Sequence, residues 1–115
     1  MAELPATTAT VADESVLKLA DEIDFGCANT IGDLGVETLD SDGIRLLALD
    51  LAAVTFIDSS GLGALVRMHQ AASAQGKRLA LRNPPERVLK MLHRTTLDTV
   101  LQIETSGDAL RGSGS

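Results

Sequence analysis

Six consecutive residues, Asp58-Ser59-Ser60-Gly61-Leu62-Gly63, bring together a carboxylate, two hydroxyls and two glycines. They follow the short apolar run Val54–Ile57. They open a stretch from Ser60 to about Gln75 in which Leu62, Leu65, Met68 and Ala72 share helical spacing. A hydroxyl at such a junction lies beside free backbone N–H groups and the positive end of the helix dipole. That setting can hold a phosphate. In open α/β folds the same carboxyl edge is where ligands and partners are met. Gly61 and Gly63 clear side chains from the surroundings, so another protein's backbone can come close. From spacing alone an ordinary helix start is the better fit, since Asp and Ser are common N-caps. A nucleophilic serine fits poorly, because Ile57 stands where the Gly-x-Ser-x-Gly elbow needs glycine. The candidate bases are His69 and His93, and His69 lies about 15 Å along the same helix. No catalytic residue and no cofactor is expected.

The elements that must position this segment can be read outward from it. Ala6 to Val11 and Ser15–Ala20, separated by an Asp13-Glu14 turn, read as a hairpin. Residues 27–39 form a weaker helix, burdened by Gly32 and Gly35 at about 1 kcal/mol each. Leu46–Leu51 lacks a polar face, as expected of a strand covered on both sides. Gly76 stops the central helix, and Leu79–Leu81 is a short strand. In Asn83-Pro84-Pro85-Glu86, Asn83 is expected to cap a helix, Pro84 to occupy its first position and Glu86 to complete the cap. Val88, Leu89 and Leu92 form that helix's apolar stripe. Val100–Ile103 is the last strand, Thr105–Arg111 a final short helix, and Gly112–Ser115 a disordered tail. Strands alternating with helices predict an α/β class with a mixed sheet. Residues 1–111 form one domain and 112–115 the tail.

Composition narrows the functions available. The chain has 115 residues, net charge −6, two Phe and neither Tyr nor Trp. Scarce aromatics argue against stacking on single-stranded nucleic acid. Residues 1–44 hold ten acidic side chains against Lys18, whereas the remainder holds nine basic against six acidic. An acidic domain has no electrostatic reason to approach DNA or an anionic membrane, and a basic protein partner fits better. The one cysteine, Cys27, excludes an internal disulfide. A small buried apolar role suits it better than redox sensing. His69 and His93 lack Cys or His neighbours at metal spacing, so no metal site is expected. The opening residues carry neither a basic nor an apolar targeting region, and no apolar run could span a bilayer. A cytoplasmic location is expected. Arg78, Arg82, Arg87, Lys90 and Arg94 read as a solvated face, with a second protein contact as the alternative.

The segment Phe56-Ile57-Asp58-Ser59-Ser60-Gly61-Leu62-Gly63-Ala64-Leu65 resembles the phosphorylation segment of STAS domains, specifically the bacterial anti-sigma factor antagonists. Leu19-Ala20-Asp21-Glu22-Ile23-Asp24, followed by Ala28, is similar to the family's segment before its first helix. Gly76-Lys77-Arg78-Leu79 and Leu97 to Ile103 follow in the family's order, so the resemblance covers about residues 10–110. It implies a STAS-like domain with a mixed four- to five-stranded sheet, an N-terminal hairpin and about four helices packed mainly on one face. It places phosphorylation on Ser59 and partner contacts on Asp24, Asp58, Ser60, Gly61, Leu62 and Gly63. The implied partners are an anti-sigma factor with serine kinase activity and a metal-dependent serine phosphatase. The free chain is expected to be a monomer. In two places the chain departs from the pattern. Asp21 stands where the family has glycine and adds an acid near the site, and Thr96 stands where glycine often precedes Leu97 and alters a turn. Two other functions stay open. One is a STAS accessory subunit of a lipid-transporting ABC complex. The other is a nucleotide or small-molecule sensor, although no phosphate-loop motif is present.

Overall fold

Leu46–Leu51 and Val54–Ile57, two runs in the sequence, are one continuous strand in the computed structural model, which describes residues 6–104. This strand, β3 (Leu46–Ile57), is the third of five in chain order. It follows β1 (Ala6–Val11), β2 (Glu14–Ile23) and α1 (Phe25–Leu39). After it come α2 (Ser59–Ala74), β4 (Arg78–Arg82), α3 (Glu86–Arg94), a single 3-10 turn at Leu97–Thr99, and β5 (Gln102–Glu104). The sheet order is β1-β2-β3-β4-β5. β1 and β2 form an antiparallel hairpin, and every later neighbour is parallel. Three α-helices are present among the described residues. The expected fourth helix, Thr105–Arg111, and the tail 112–115 lie outside them.

β3 is broken in the sequence pattern because it is irregular in the sheet. Its pairing with β2 shifts register between Lys18 and Ala20 and again between Asp21 and Glu22. Asp50 steadies the first irregularity by accepting from the Ala52 N–H at 3.1 Å. A bulge places extra residues on one strand and reverses which face later side chains meet. The apolar alternation therefore fails at Ala52-Ala53 while the ladder continues. Asp21, at the second shift, has a positive φ of 62°.

One face of the sheet carries Leu17, Leu47, Leu49, Leu79 and Leu81 into the core, with Ile31 of α1 and Leu65 and Met68 of α2 above them. Each of the fully buried leucines contributes about 1.5–3 kcal/mol relative to exposure. Helices α1 and α2 meet at glycine. A Cβ on Gly35 would stand 2.0 Å from the Met68 Sδ, and one on Gly32 would stand 3.0 Å from an Arg67 nitrogen. The two glycines weaken α1 as an isolated helix and let it sit close to α2. Packing outweighs propensity here.

The opposite face alternates with the first and is polar. Arg82 donates to Glu14 at 2.7 Å and to Glu104 at 2.9 Å, tying β2, β4 and β5 together. Small residues, Ala48 and Ala80, lie fully buried on this side. The hydrogen bond from Arg82 is the main reason the Glu14 carboxyl lies below its usual pKa. Charge attraction adds to it, and partial desolvation opposes both.

The start of α3 differs from expectation. The helix begins at Glu86, with Pro85 as its N-cap and no side-chain cap bond. Asn83 instead turns the chain with φ 56° and donates its N–H to the Glu104 carbonyl at 2.7 Å. An Asn tolerates the left-handed region, so the end of β4 uses it as a turn. Glu86 in the first turn and His93 and Arg94 in the last suit the helix dipole. Val88 and Leu92 anchor α3 in the shared core.

Candidate functional site

The amino ends of α1 and α2 lie side by side, each capped by an aspartate. Asp24 has extended backbone and its Oδ1 accepts from the Gly26 N–H at 3.0 Å. Asp58 does the same for α2, where Oδ1 accepts from the Gly61 N–H at 3.0 Å. Its other oxygen, Oδ2, accepts from the Phe25 N–H at 3.1 Å, crossing to the first residue of α1. The Asp58 N–H donates to the Ile23 carbonyl at 3.2 Å, which fixes the end of β3 to the end of β2. One carboxylate thus caps its own helix and binds the neighbouring one to it.

Gly61 sits in this clamp for a steric reason. A Cβ there would lie 2.6 Å from the Ile23 carbonyl oxygen and 2.6 Å from the Ile57 Cγ2. Gly63 is the reverse: it is exposed, and a Cβ on it would meet nothing within 4 Å. The first glycine serves the fold, and the second leaves the surface open.

Ser59 is the first residue of α2 and is exposed. Ser60 is half-buried and lines a shallow hollow of about 210 Å³ with Phe25, Asn29, Gly63 and Arg67. Leu62, 9% exposed, turns into the core, as does Gly61. The residues singled out in the sequence therefore divide. Ser59, Ser60 and Gly63 face outward, Asp24 and Asp58 hold the two helix ends, and Gly61 and Leu62 lie beneath.

Phe25, Asn29 and Arg67 were not recognised in the sequence. Phe25 is 79% exposed on the rim of the hollow. Its signal was present, as one of two aromatic side chains in the chain, placed directly after a capping aspartate. Asn29 and Arg67 carry no local signal and reach the hollow because α1 and α2 pack together. Arg67 also pairs with Asp33 across the two helices.

Cys27, in the first turn of α1, is half-buried against the core, its thiol 3.5 Å from the Glu22 carbonyl oxygen and 3.9 Å from the Asp24 Oδ1. His93 contacts Asp98 at 3.0 Å near the far end of α3. Among the described residues no group of His, Cys, Asp or Glu could hold a metal ion. No described helix is long and apolar enough to cross a membrane.

The mixed sheet, the helix pair and this doubly capped edge define a STAS domain, and the chain belongs to that family, whose pattern matches residues 6–109. In structure it is similar to a Thermotoga maritima protein described as an anti-sigma factor antagonist, with TM-score 0.81 and 28% identity. That likeness covers 93% of this chain and 92% of the other. The unphosphorylated anti-sigma factor antagonist SpoIIAA shares the fold at TM-score 0.76 and 19% identity, covering 94% of this chain and 95% of that one. In sequence, a match 78 positions long is 35% identical to Sulfate transporter 2.2 of Arabidopsis thaliana. It covers 64% of this chain and 12% of the transporter's length.

Proposed function

We propose that this STAS domain is an anti-sigma factor antagonist whose docking surface is switched by phosphorylation of Ser59. In this reading the unphosphorylated domain binds an anti-sigma factor that is also a serine kinase, and a sigma factor is released. The kinase then transfers phosphate from ATP to the Ser59 oxygen, the domain dissociates, and a metal-dependent phosphatase restores the hydroxyl. The domain acts in the cytoplasm and is a monomer when free.

The observation that carries this reading is the exposed Ser59 at the start of α2, between the Asp58 clamp and the open Gly63. A kinase must enclose its target hydroxyl, and here no side chain of the domain is in the way at Gly63. Phosphate adds about −1.5 to −2 charges. It would join the carboxylates of Asp24 and Asp58 at one edge, where repulsion and the desolvation of a dianion oppose a close interface. A loss of about 2.8 kcal/mol is a hundredfold in affinity. The test is intact-mass measurement after incubation with the host's anti-sigma kinases and ATP. Wild type should gain one phosphate and Ser59→Ala none. Phosphate on Ser59→Ala would overturn the assignment.

A second reading has one observation in its favour, the identity shared with a plant sulfate transporter. The domain would then serve a transport system, as in the ABC lipid-transport arrangement, and its surface would bind a transporter component without modification. Affinity capture from host lysate separates the two, by recovering either a sigma-regulating kinase or a transporter subunit.

A further inference from the structure

Arg78, Arg82, Arg87, Lys90 and Arg94, expected from the sequence as one solvated face, do not form one face. Arg78 and Arg82 lie on the sheet, Arg78 donating to Gln102 and Arg82 to Glu14 and Glu104. Arg87, Lys90 and Arg94 instead follow one another at i, i+3 and i+7 along α3, a spacing that puts them on one helix face. With Glu86, Met91 and Phe56 they line a concavity of about 620 Å³, larger than the hollow beside Ser60. Of the three cations, Lys90 has a partner, Glu86 at 3.7 Å, and both of these side chains are well exposed. Such a pair is worth little. Arg87 and Arg94 have no ion pair among the described residues.

The apolar part of the concavity is also unusual for this chain. Phe56, one of its two aromatic residues, is 40% exposed there. Met91 lies half-buried beside it, a side chain that adapts to irregular shapes. An aromatic ring and a flexible thioether bordered by two guanidinium groups, one ammonium and one carboxylate, in a protein of net charge −6, are not the composition of a solvated face. The volume falls in the range of small-molecule sites, which pair apolar walls with a few placed polar groups. Arg guanidinium groups bind phosphate and carboxylate in bidentate fashion.

From these residues we infer that the groove between the end of β3 and α3 binds a small organic anion. Its planar or apolar body lies on Phe56 and Met91, and its phosphate or carboxylate meets Arg87, Lys90 and Arg94. The site is separate from Ser59 and does not depend on the phospho-switch reading.

The test titrates the full chain, 15N-labelled, with four probes: 1-naphthyl phosphate, inorganic phosphate, 1-naphthol and hexaglutamate. The first should shift the amide resonances of Phe56 and of residues 86–94 saturably, with at least about tenfold tighter binding than either fragment. Arg87→Gln with Arg94→Gln should weaken it about tenfold or more, the scale of losing a charge-assisted hydrogen bond. Phe56→Leu should weaken 1-naphthyl phosphate while leaving inorganic phosphate unchanged, and the variants' spectra establish that they fold. Equal binding of inorganic phosphate and 1-naphthyl phosphate would reduce the groove to a plain anion patch and overturn the inference. So would absence of saturable shifts, or tighter binding of hexaglutamate, which would make the groove a docking surface for acidic peptides.

Discussion

The Asp58 carboxylate accepts the Phe25 N–H at 3.1 Å, so the residue that caps α2 also holds the first turn of α1. The exposed serine and the exposed aromatic on this edge are therefore presented by one rigid unit. Their relative placement follows from a short, half-buried side chain held by two hydrogen bonds.

Asp58→Ala should lose the N-cap bond to Gly61 and the bond to Phe25 together. A cap is worth about 0.5–2 kcal/mol and a further hydrogen bond about 1 kcal/mol, so urea unfolding should show a loss of about 1.5–3 kcal/mol. Asp58→Asn keeps an acceptor and should lose less. Equal losses for the two variants would mean that charge, not geometry, holds the helix ends.

Gly61→Ala and Gly63→Ala make the same chemical change two residues apart, with opposite expected results. The first drives a methyl to 2.6 Å from a backbone oxygen and should destabilise by about 1–3 kcal/mol, the usual range for overpacking. The second has open space and should stabilise by up to about 1 kcal/mol through helix propensity. Thermal melts of the two variants make the comparison. If the proposed function holds, Gly63→Ala gains stability while weakening partner binding.

Both departures from the family's glycines fall where the backbone is left-handed, Asp21 at φ 62° and Thr96 at φ 57°. Asp tolerates that region, but a β-branched side chain is strained there. Thr96→Gly should therefore stabilise the domain by about 1 kcal/mol, strain relief of about 1–3 kcal/mol offset by the greater chain entropy of glycine. Asp21→Gly should be closer to neutral. Denaturant midpoints for the pair check the ranking.

Arg82 holds the Glu14 pKa below the ordinary 4.5. A carboxyl depressed on folding contributes stability that is present above its unfolded pKa and lost as pH falls through the folded one. The loss therefore begins near pH 4.5 and continues below it. Both side chains are about one-third exposed, so the contribution is at most about 1 kcal/mol and shrinks with salt. Glu14→Gln should flatten this part of the acid unfolding curve. An unchanged curve would show that the Arg82 bridge contributes no pH-dependent stability.

The elements themselves were legible because their signals are local. Asp24 and Asp58 precede runs with helical periodicity, and the leucines at alternate positions declare a sheet face within a few residues. Asn83 shows the limit of such signals. The same Asn-Pro-Pro-Glu pattern suits a helix cap or a left-handed turn, and the choice fell to the turn because the Asn83 N–H meets the Glu104 carbonyl of β5. The gap in β3 was misleading for a related reason: its continuity is supplied by pairing with β2, 30-odd residues earlier.

From residue order alone came the α/β class, the presence of the three described helices and a serine pair at the start of α2, since caps and periodicity act over a single turn. Only the tertiary structure decided that Asp58 reaches Phe25, that Asn29 and Arg67 share the hollow beside Ser60, and that the basic residues split between the sheet and α3. These contacts span about 30 residues or more, or turn on which face a side chain takes. No propensity encodes them; they follow from the close packing of α1 on α2 and the register of the sheet.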